Sequence, residues 1–187
     1  MMDNKVKQRL LQLIKEKTLF YQPVVLSSGK RSNYYIDAKQ VTLLPEGAYL
    51  VAKLILDLIK DEDVEAIGGP TIGADPLLGA INCLSYLNQR PLQGFIVRKE
   101  QKKHGMQRFI EGPFLKKGTK VAIIDDVVTT GESIIRAVKA VKELGCEVVK
   151  VIALVDRCEG GREALKKYGL TLTSIFTIRE LGIGETS

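Results

Sequence analysis

Val121-Ala122-Ile123-Ile124-Asp125-Asp126-Val127-Val128-Thr129-Thr130-Gly131-Glu132-Ser133-Ile134-Ile135 is the stretch that decides the fold. Lys120–Asp125 is a short apolar run, rich in β-branched residues and bounded by polar ones, as expected of a central parallel strand. Acids, hydroxyls and a glycine follow it without a gap. A helix is then predicted from about Gly131 to Leu144, with Gly145 as its C-terminal stop.

Working outward, the chain alternates strand and helix. Val148–Val155, Leu92–Val97, Glu65–Gly68 and Thr171–Thr177 read as further strands. Asp75 and Pro76 cap and start a helix through about Leu87, and Arg162–Tyr168 forms a short helix before Gly169. Such alternation implies an α/β fold, a doubly wound and mostly parallel sheet flanked by helices. Ligands in these sheets bind beyond the carboxyl ends of the strands.

The first sixty residues look like an added N-terminal flap, or hood, and helical layer of a single domain spanning 1–187. Asp3 can cap a helix with Val6, Leu10, Leu13 and Ile14 on one face. Tyr21–Leu26 and Tyr34–Asp37 flank the turn-rich segment 27–33, which reads as a hairpin or extended flap. Pro45 opens a second amphipathic helix carrying Ala48, Val51, Ala52, Ile55 and Ile59.

Composition narrows the class. Hydrophobic residues make up 45% and charged residues 27%, an ordinary globular balance. No apolar run approaches the roughly eighteen residues of a membrane helix, and the charged N-terminus lacks a signal-peptide core. The expected compartment is the cytoplasm. Cys83, Cys146 and Cys158 are scattered, and with a single histidine they make a poor zinc set. A net charge of +6 points to an acidic partner, either nucleic acid or a phosphorylated small molecule.

The chemistry of the decisive stretch favours the small molecule. Side chains alternate across a strand, so adjacent aspartates are expected to serve one ligand only where the strand gives way to loop. Thr129, Thr130, Gly131 and Ser133 place hydroxyls and amides at a helix N-terminus, a cradle for a phosphate monoester. Asp125 and Asp126 suit vicinal sugar hydroxyls and a hydrated Mg²⁺. The plainer alternative is an aspartate cap with a Thr-Thr-Gly turn. A Walker loop is missing, and Gly68–Gly73 lacks the spacing of a dinucleotide fingerprint.

A second cluster, Arg98, Lys99, Lys102, Lys103 and His104, leaves a strand of the same sheet. It reads either as a solvated surface loop or as a basic lid for a diphosphate leaving group. In the second case Arg98 grips bidentately, Lys99 and Lys102 act as point charges, His104 donates a proton, and Gly105 is a hinge.

The decisive stretch resembles the 5-phosphoribosyl 1-diphosphate motif of type I phosphoribosyltransferases: four apolar residues, two acids, two apolar residues, then Thr-Thr-Gly-x-Ser. Arg98 to Gly105 is similar to the catalytic loop of the orotate phosphoribosyltransferases, and the likeness spans nearly the whole chain. That resemblance implies Mg²⁺-dependent phosphoribosyl transfer to orotate in pyrimidine biosynthesis. It also implies a homodimer whose lid crosses to the neighbouring subunit. Carried over, Lys102, His104 and Asp126 are catalytic. Arg98, Lys99, Lys102, His104, Asp125, Asp126, Val127, Val128, Thr129, Thr130, Gly131, Glu132 and Ser133 bind the ribosyl diphosphate. Thr129, Arg157, Tyr34 and Tyr35 hold orotate. The Mg²⁺ is held mainly by substrate and water near Asp125 and Asp126.

Arg157 has two readings, one as the bidentate partner of orotate's carboxylate and one as a surface arginine bonded to Asp156. Tyr34 and Tyr35 either stack on the base or pack in the core. Two departures from the family stand out. Ser27 replaces a flap lysine, and Thr71–Asp75 carries none of the tyrosine–lysine pair seen in some members. Backbone amides of Gly69–Ala74 are expected to serve the diphosphate instead. The rivals are an enzyme for another base and a nucleic-acid-binding regulator that kept the pocket; no basic-aromatic stripe supports the latter, and no nucleic-acid or membrane partner is expected.

Overall fold

Asp3 caps the first helix as the sequence predicts, accepting from Lys5 N at 3.1 Å and Val6 N at 3.3 Å. Helix α1 then runs Asn4–Lys17 and buries Leu10, Leu13 and Ile14. A computed structural model describes residues 3–25, 31–100 and 109–183. The expected flap is present as two nested antiparallel ladders. In these, β1 (Leu19–Phe20) meets β4 (Tyr35–Ile36), and β2 (Val24–Val25) meets β3 (Arg31–Ser32). One helical turn that the sequence reading missed, α2 (Lys39–Thr42), precedes α3 (Pro45–Ile59).

The central sheet is built from β5 (Ala66–Pro70), β6 (Gln93–Val97), β7 (Ile110–Glu111), β8 (Lys120–Val128), β9 (Glu147–Asp156) and β10 (Leu172–Thr177). Their order is β10-β9-β8-β5-β6-β7, parallel throughout except for the β6–β7 pair. Helices α4 (Asp75–Leu87), α5 (Glu132–Glu143) and α6 (Gly161–Lys166) connect the strands.

Alternation along β8 sorts the two faces. Ala122 and Ile124 join a core with α1, α3 and α4, while Val121 and Ile123 join a second core with Ile134, Ala137, Val138 and Val141 of α5. The sheet is thus covered on both sides, as doubly wound folds require. Fully buried β-branched side chains at Val121, Ile123 and Ile124 each contribute about 1.5–3 kcal/mol on burial. No helix among the described residues is long and apolar enough to cross a membrane.

Three expectations are corrected. Strand β8 does not end at Asp125 but continues to Val128, pairing Val127 with Val155 and Val128 with Asp156. Asp75 is not the cap of α4; Ala74 holds that position without a side-chain bond, and Asp75 lies in the first turn. Helix α6 begins at Gly161 and ends at Lys166, short of Tyr168.

Candidate active site

Asp125 and Asp126 lie within β8, two residues from its end, and yet they converge. Ile124 and Val127 both pack on the α1–α3–α4 face although three positions apart, so the alternation breaks between them. Strand β9 breaks in step, with Leu154 and Val155 on that same face. The two carboxylates turn toward Gly73 in the loop after β5. A Cβ there would collide with Asp126 Oδ1 and stand 2.7 Å from Asp125 Oδ1. Gly73 is therefore a functional position the sequence reading did not single out. The gap between β5 and β8 is just as tight at Gly69, whose Cβ would strike the Ile124 carbonyl.

The acid pair is desolvated. Asp125 is buried and accepts from Ser133 Oγ at 2.9 Å and from Asp126 N at 3.0 Å. Burial, followed by the neighbouring charge of Asp126, holds its carboxyl well above the usual carboxylate range. Asp126 is raised too, by burial, against the Val127 N–H at 2.8 Å and the field of Lys39. These groups belong together electrostatically, and Lys39 is a second residue that the sequence reading passed over.

Next to them, α5 starts at Gly131 in the left-handed conformation, φ +80°, with no side-chain cap. The Ser133 hydroxyl is spent on Asp125 instead. The first-turn amides of α5 thus keep their donor capacity at the positive end of the helix. Gly161 pins the Thr129–Gly131 loop from behind. Its Cβ would sit 2.8 Å from the Thr129 carbonyl, and a Cβ on Gly131 would sit 3.3 Å from Gly161 Cα. Val127 and Val128 belong to the strand, so among the expected phosphate residues Thr129, Thr130, Gly131, Glu132 and Ser133 form the loop and helix start.

Arg157 follows β9 and is buried at 5% exposure. Its backbone N–H donates to the Val128 carbonyl at 2.9 Å, which sets it beside the Thr129 loop. The guanidinium lies 4.6 Å from the centre of the Tyr34 ring, and Nε pairs with Glu159 Oε1 at 2.8 Å. The surface alternative with Asp156 is excluded, because Asp156 is fully buried and takes Arg162 Nε at 2.5 Å and Cys158 N at 2.8 Å. Tyr34 is half-buried against the core as well as stacked on Arg157, whereas Tyr35 is exposed.

On the other side of Gly73 lies an open cleft of about 450 Å³ lined by Thr71, Asp75, Arg98, Lys99 and Glu111. Arg98 is placed at the base of the basic loop, with its N–H on the Phe109 carbonyl at 2.8 Å and Nη1 3.5 Å from Glu111. Arg98 Nε and Asp75 Oδ1 are buried without a partner among the described residues. Of the loop amides expected to serve a diphosphate, Thr71 N is already on Val97 O and Ala74 N on Pro70 O, which leaves Ile72 and Gly73. Lys102, Lys103, His104 and Gly105 of the loop, and Ser27 of the flap, lie outside the described residues.

Comparison with known proteins matches residues 37–179 to the phosphoribosyl transferase domain family. The orotate phosphoribosyltransferase of Aquifex aeolicus is 49% identical over 178 residues, covering 94% of this chain and 97% of that one. That of a Synechocystis strain is 44% identical, covering 94% and 88%. This chain belongs to the orotate phosphoribosyltransferases. Among solved structures, the orotate phosphoribosyltransferase of Mycobacterium tuberculosis in complex with 5-phospho-α-D-ribosyl 1-diphosphate superposes with TM-score 0.79 at 34% identity, covering 95% and 99% of the two chains. Membership of the orotate phosphoribosyltransferase family fits the mostly parallel sheet and the flap, and it makes the carboxylate pair, the α5 N-terminus and Arg157 the natural centre of the site.

Proposed function

We propose that this phosphoribosyltransferase moves the 5-phosphoribosyl group of 5-phosphoribosyl 1-diphosphate onto orotate, giving orotidine 5'-phosphate and pyrophosphate. The observation that carries this reading is the continuous cleft of three chemistries: a side-chain-free helix N-terminus, two convergent carboxylates and a buried arginine stacked on tyrosine. The 5-phosphate lies on the amides and hydroxyls of Thr129–Ser133. Asp125 and Asp126 accept the ribose hydroxyls. Arg157 presents its remaining guanidinium nitrogens to the orotate carboxylate, and Tyr34 and Tyr35 flank the base. The relative from Mycobacterium tuberculosis, solved with the same sugar diphosphate, supports this placement.

Two hard oxygen donors facing one point suit Mg²⁺ that arrives with substrate oxygens and water. Among the described residues no group of three or more His, Cys, Asp or Glu is placed to cage a metal. When bound, the ion offsets the charge of the diphosphate. The chain's own residues do the rest. Arg98 and Lys99, with Lys102 and His104 of the adjoining loop, take the departing diphosphate as the C1–O bond breaks. The orotate ring nitrogen bonds to C1 from the opposite face, with inversion. Water is kept out, since hydrolysis competes. We place the enzyme in the cytoplasm as one domain per chain and a homodimer, with the basic loop reaching the partner's site.

Pyrophosphate release measured with orotate, uracil, xanthine and adenine, each with and without Mg²⁺, tests the reading. Release with orotate alone, dependent on the metal, is expected. Turnover with a purine and none with orotate would overturn it.

A further inference from the structure

The ribosyl diphosphate is a polyanion, yet the site meets it with two buried carboxylates. Neither the Gly69–Ala74 loop nor Thr129–Ser133 supplies a cation. The cation whose field acts on Asp126 is Lys39. It sits at the start of α2, straight after the strand that carries Tyr35, and so between the tyrosines and the acid pair. Asp37 holds it there. Its Oδ1 accepts from Lys39 Nζ at 2.7 Å and from Lys39 N at 3.2 Å, while Oδ2 takes Gln40 Nε2 at 3.1 Å. The turn beneath is rigid, since Ala38 and Val41 are buried and Gly47 of α3 packs so closely on Val41 that a Cβ would strike its carbonyl. The Lys39 side chain keeps about a third of its surface open, 31%, toward solvent.

We propose that Lys39 is a positioning residue for the sugar diphosphate: its ammonium, anchored by Asp37, stands against Asp126 and offsets the repulsion between that carboxylate and the incoming polyanion. Burial disfavours the charge on Lys39, but the Asp37 bond and the field of Asp126 outweigh it and hold the ammonium protonated beyond its ordinary range. A surface lysine kept only for α2 would not face the acid pair. The inference rests on the phosphoribosyl-transfer reading above.

The test compares wild type with Lys39→Met and Lys39→Arg. Calorimetric titration with 5-phosphoribosyl 1-diphosphate and Mg²⁺ is followed by steady-state kinetics in both substrates. Lys39→Met should weaken binding of the sugar diphosphate and raise its KM by about tenfold, the scale of losing one partner of a partly buried charge pair. The KM for orotate should stay within about twofold, the mark of a local binding effect. Lys39→Arg should recover most of the loss, because charge rather than shape is at issue. Sugar-diphosphate binding by Lys39→Met within about twofold of wild type overturns the proposal, as does an arginine variant as weak as the methionine one. A wild-type protein that neither binds the sugar diphosphate nor releases pyrophosphate with orotate would instead sink the functional reading itself.

Discussion

Gly73→Ala isolates the acid pair from the rest of the fold. The added methyl would collide with Asp126 Oδ1 and lie 2.7 Å from Asp125 Oδ1. Ordinary contact begins near 3.4 Å, so Asp125 must give by about 0.7 Å and Asp126 by more. Both are fixed, Asp125 by Ser133 and Asp126 by the Val127 N–H. The displaced carboxylates lose at least one charge-assisted hydrogen bond to a ribose hydroxyl, about 2 kcal/mol, or roughly thirtyfold in affinity. Calorimetric titration with 5-phosphoribosyl 1-diphosphate and Mg²⁺ reads that loss directly. Gly79→Ala is the control: its Cβ would meet nothing, and at an exposed position of α4 it should stabilise the protein by about 0.5–1 kcal/mol. A Gly73→Ala protein that binds the sugar within about threefold of wild type would refute the convergence of the two carboxylates on the ligand.

Asp125→Asn should stabilise the protein at pH 7 while abolishing sugar binding. The folded carboxyl holds its proton above the ordinary value of 3.8, so stability falls as pH rises from that value through the folded one, and asparagine removes the loss. Each kcal/mol gained appears as about 2–4 °C in thermal unfolding at this chain length, and the gain should vanish below about pH 4, where both states are protonated. A variant no more stable at pH 7 than at pH 4, relative to wild type, counts against the desolvated pair. Arg157→Met should raise the KM for orotate about a hundredfold with sugar-diphosphate affinity unchanged, since a buried bidentate partner is lost; equal loss for both substrates would remove Arg157 from the base. Lys102→Ala should lower kcat by about a hundredfold without shifting the melting temperature; normal turnover would dismiss the basic loop as the lid.

Much of the scaffold was legible because local rules agree with the tertiary outcome. Asp3, Pro45 and Gly145 mark helix ends by cap, fixed φ and left-handed backbone, and the structure keeps each in that role. The continuation of β8 had a signal, the β-branched Val127–Val128, which the acids before it obscured. β7 had almost none: a two-residue antiparallel edge is defined only by its partners Ile96 and Val97. α2 is a single turn, too short for a helical period to show.

Linear order determined the alternating strands and helices, the acid–hydroxyl–glycine run and the basic cluster, because each depends on neighbours along the chain. Tertiary structure alone decided that Asp125 and Asp126 face one point, that Gly73 must lack a side chain, that Lys39 stands by the pair and that Arg157 lies buried on Tyr34. Those relations join residues far apart in sequence, and their energies arise from close backbone approach and shared desolvation, which no local pattern encodes.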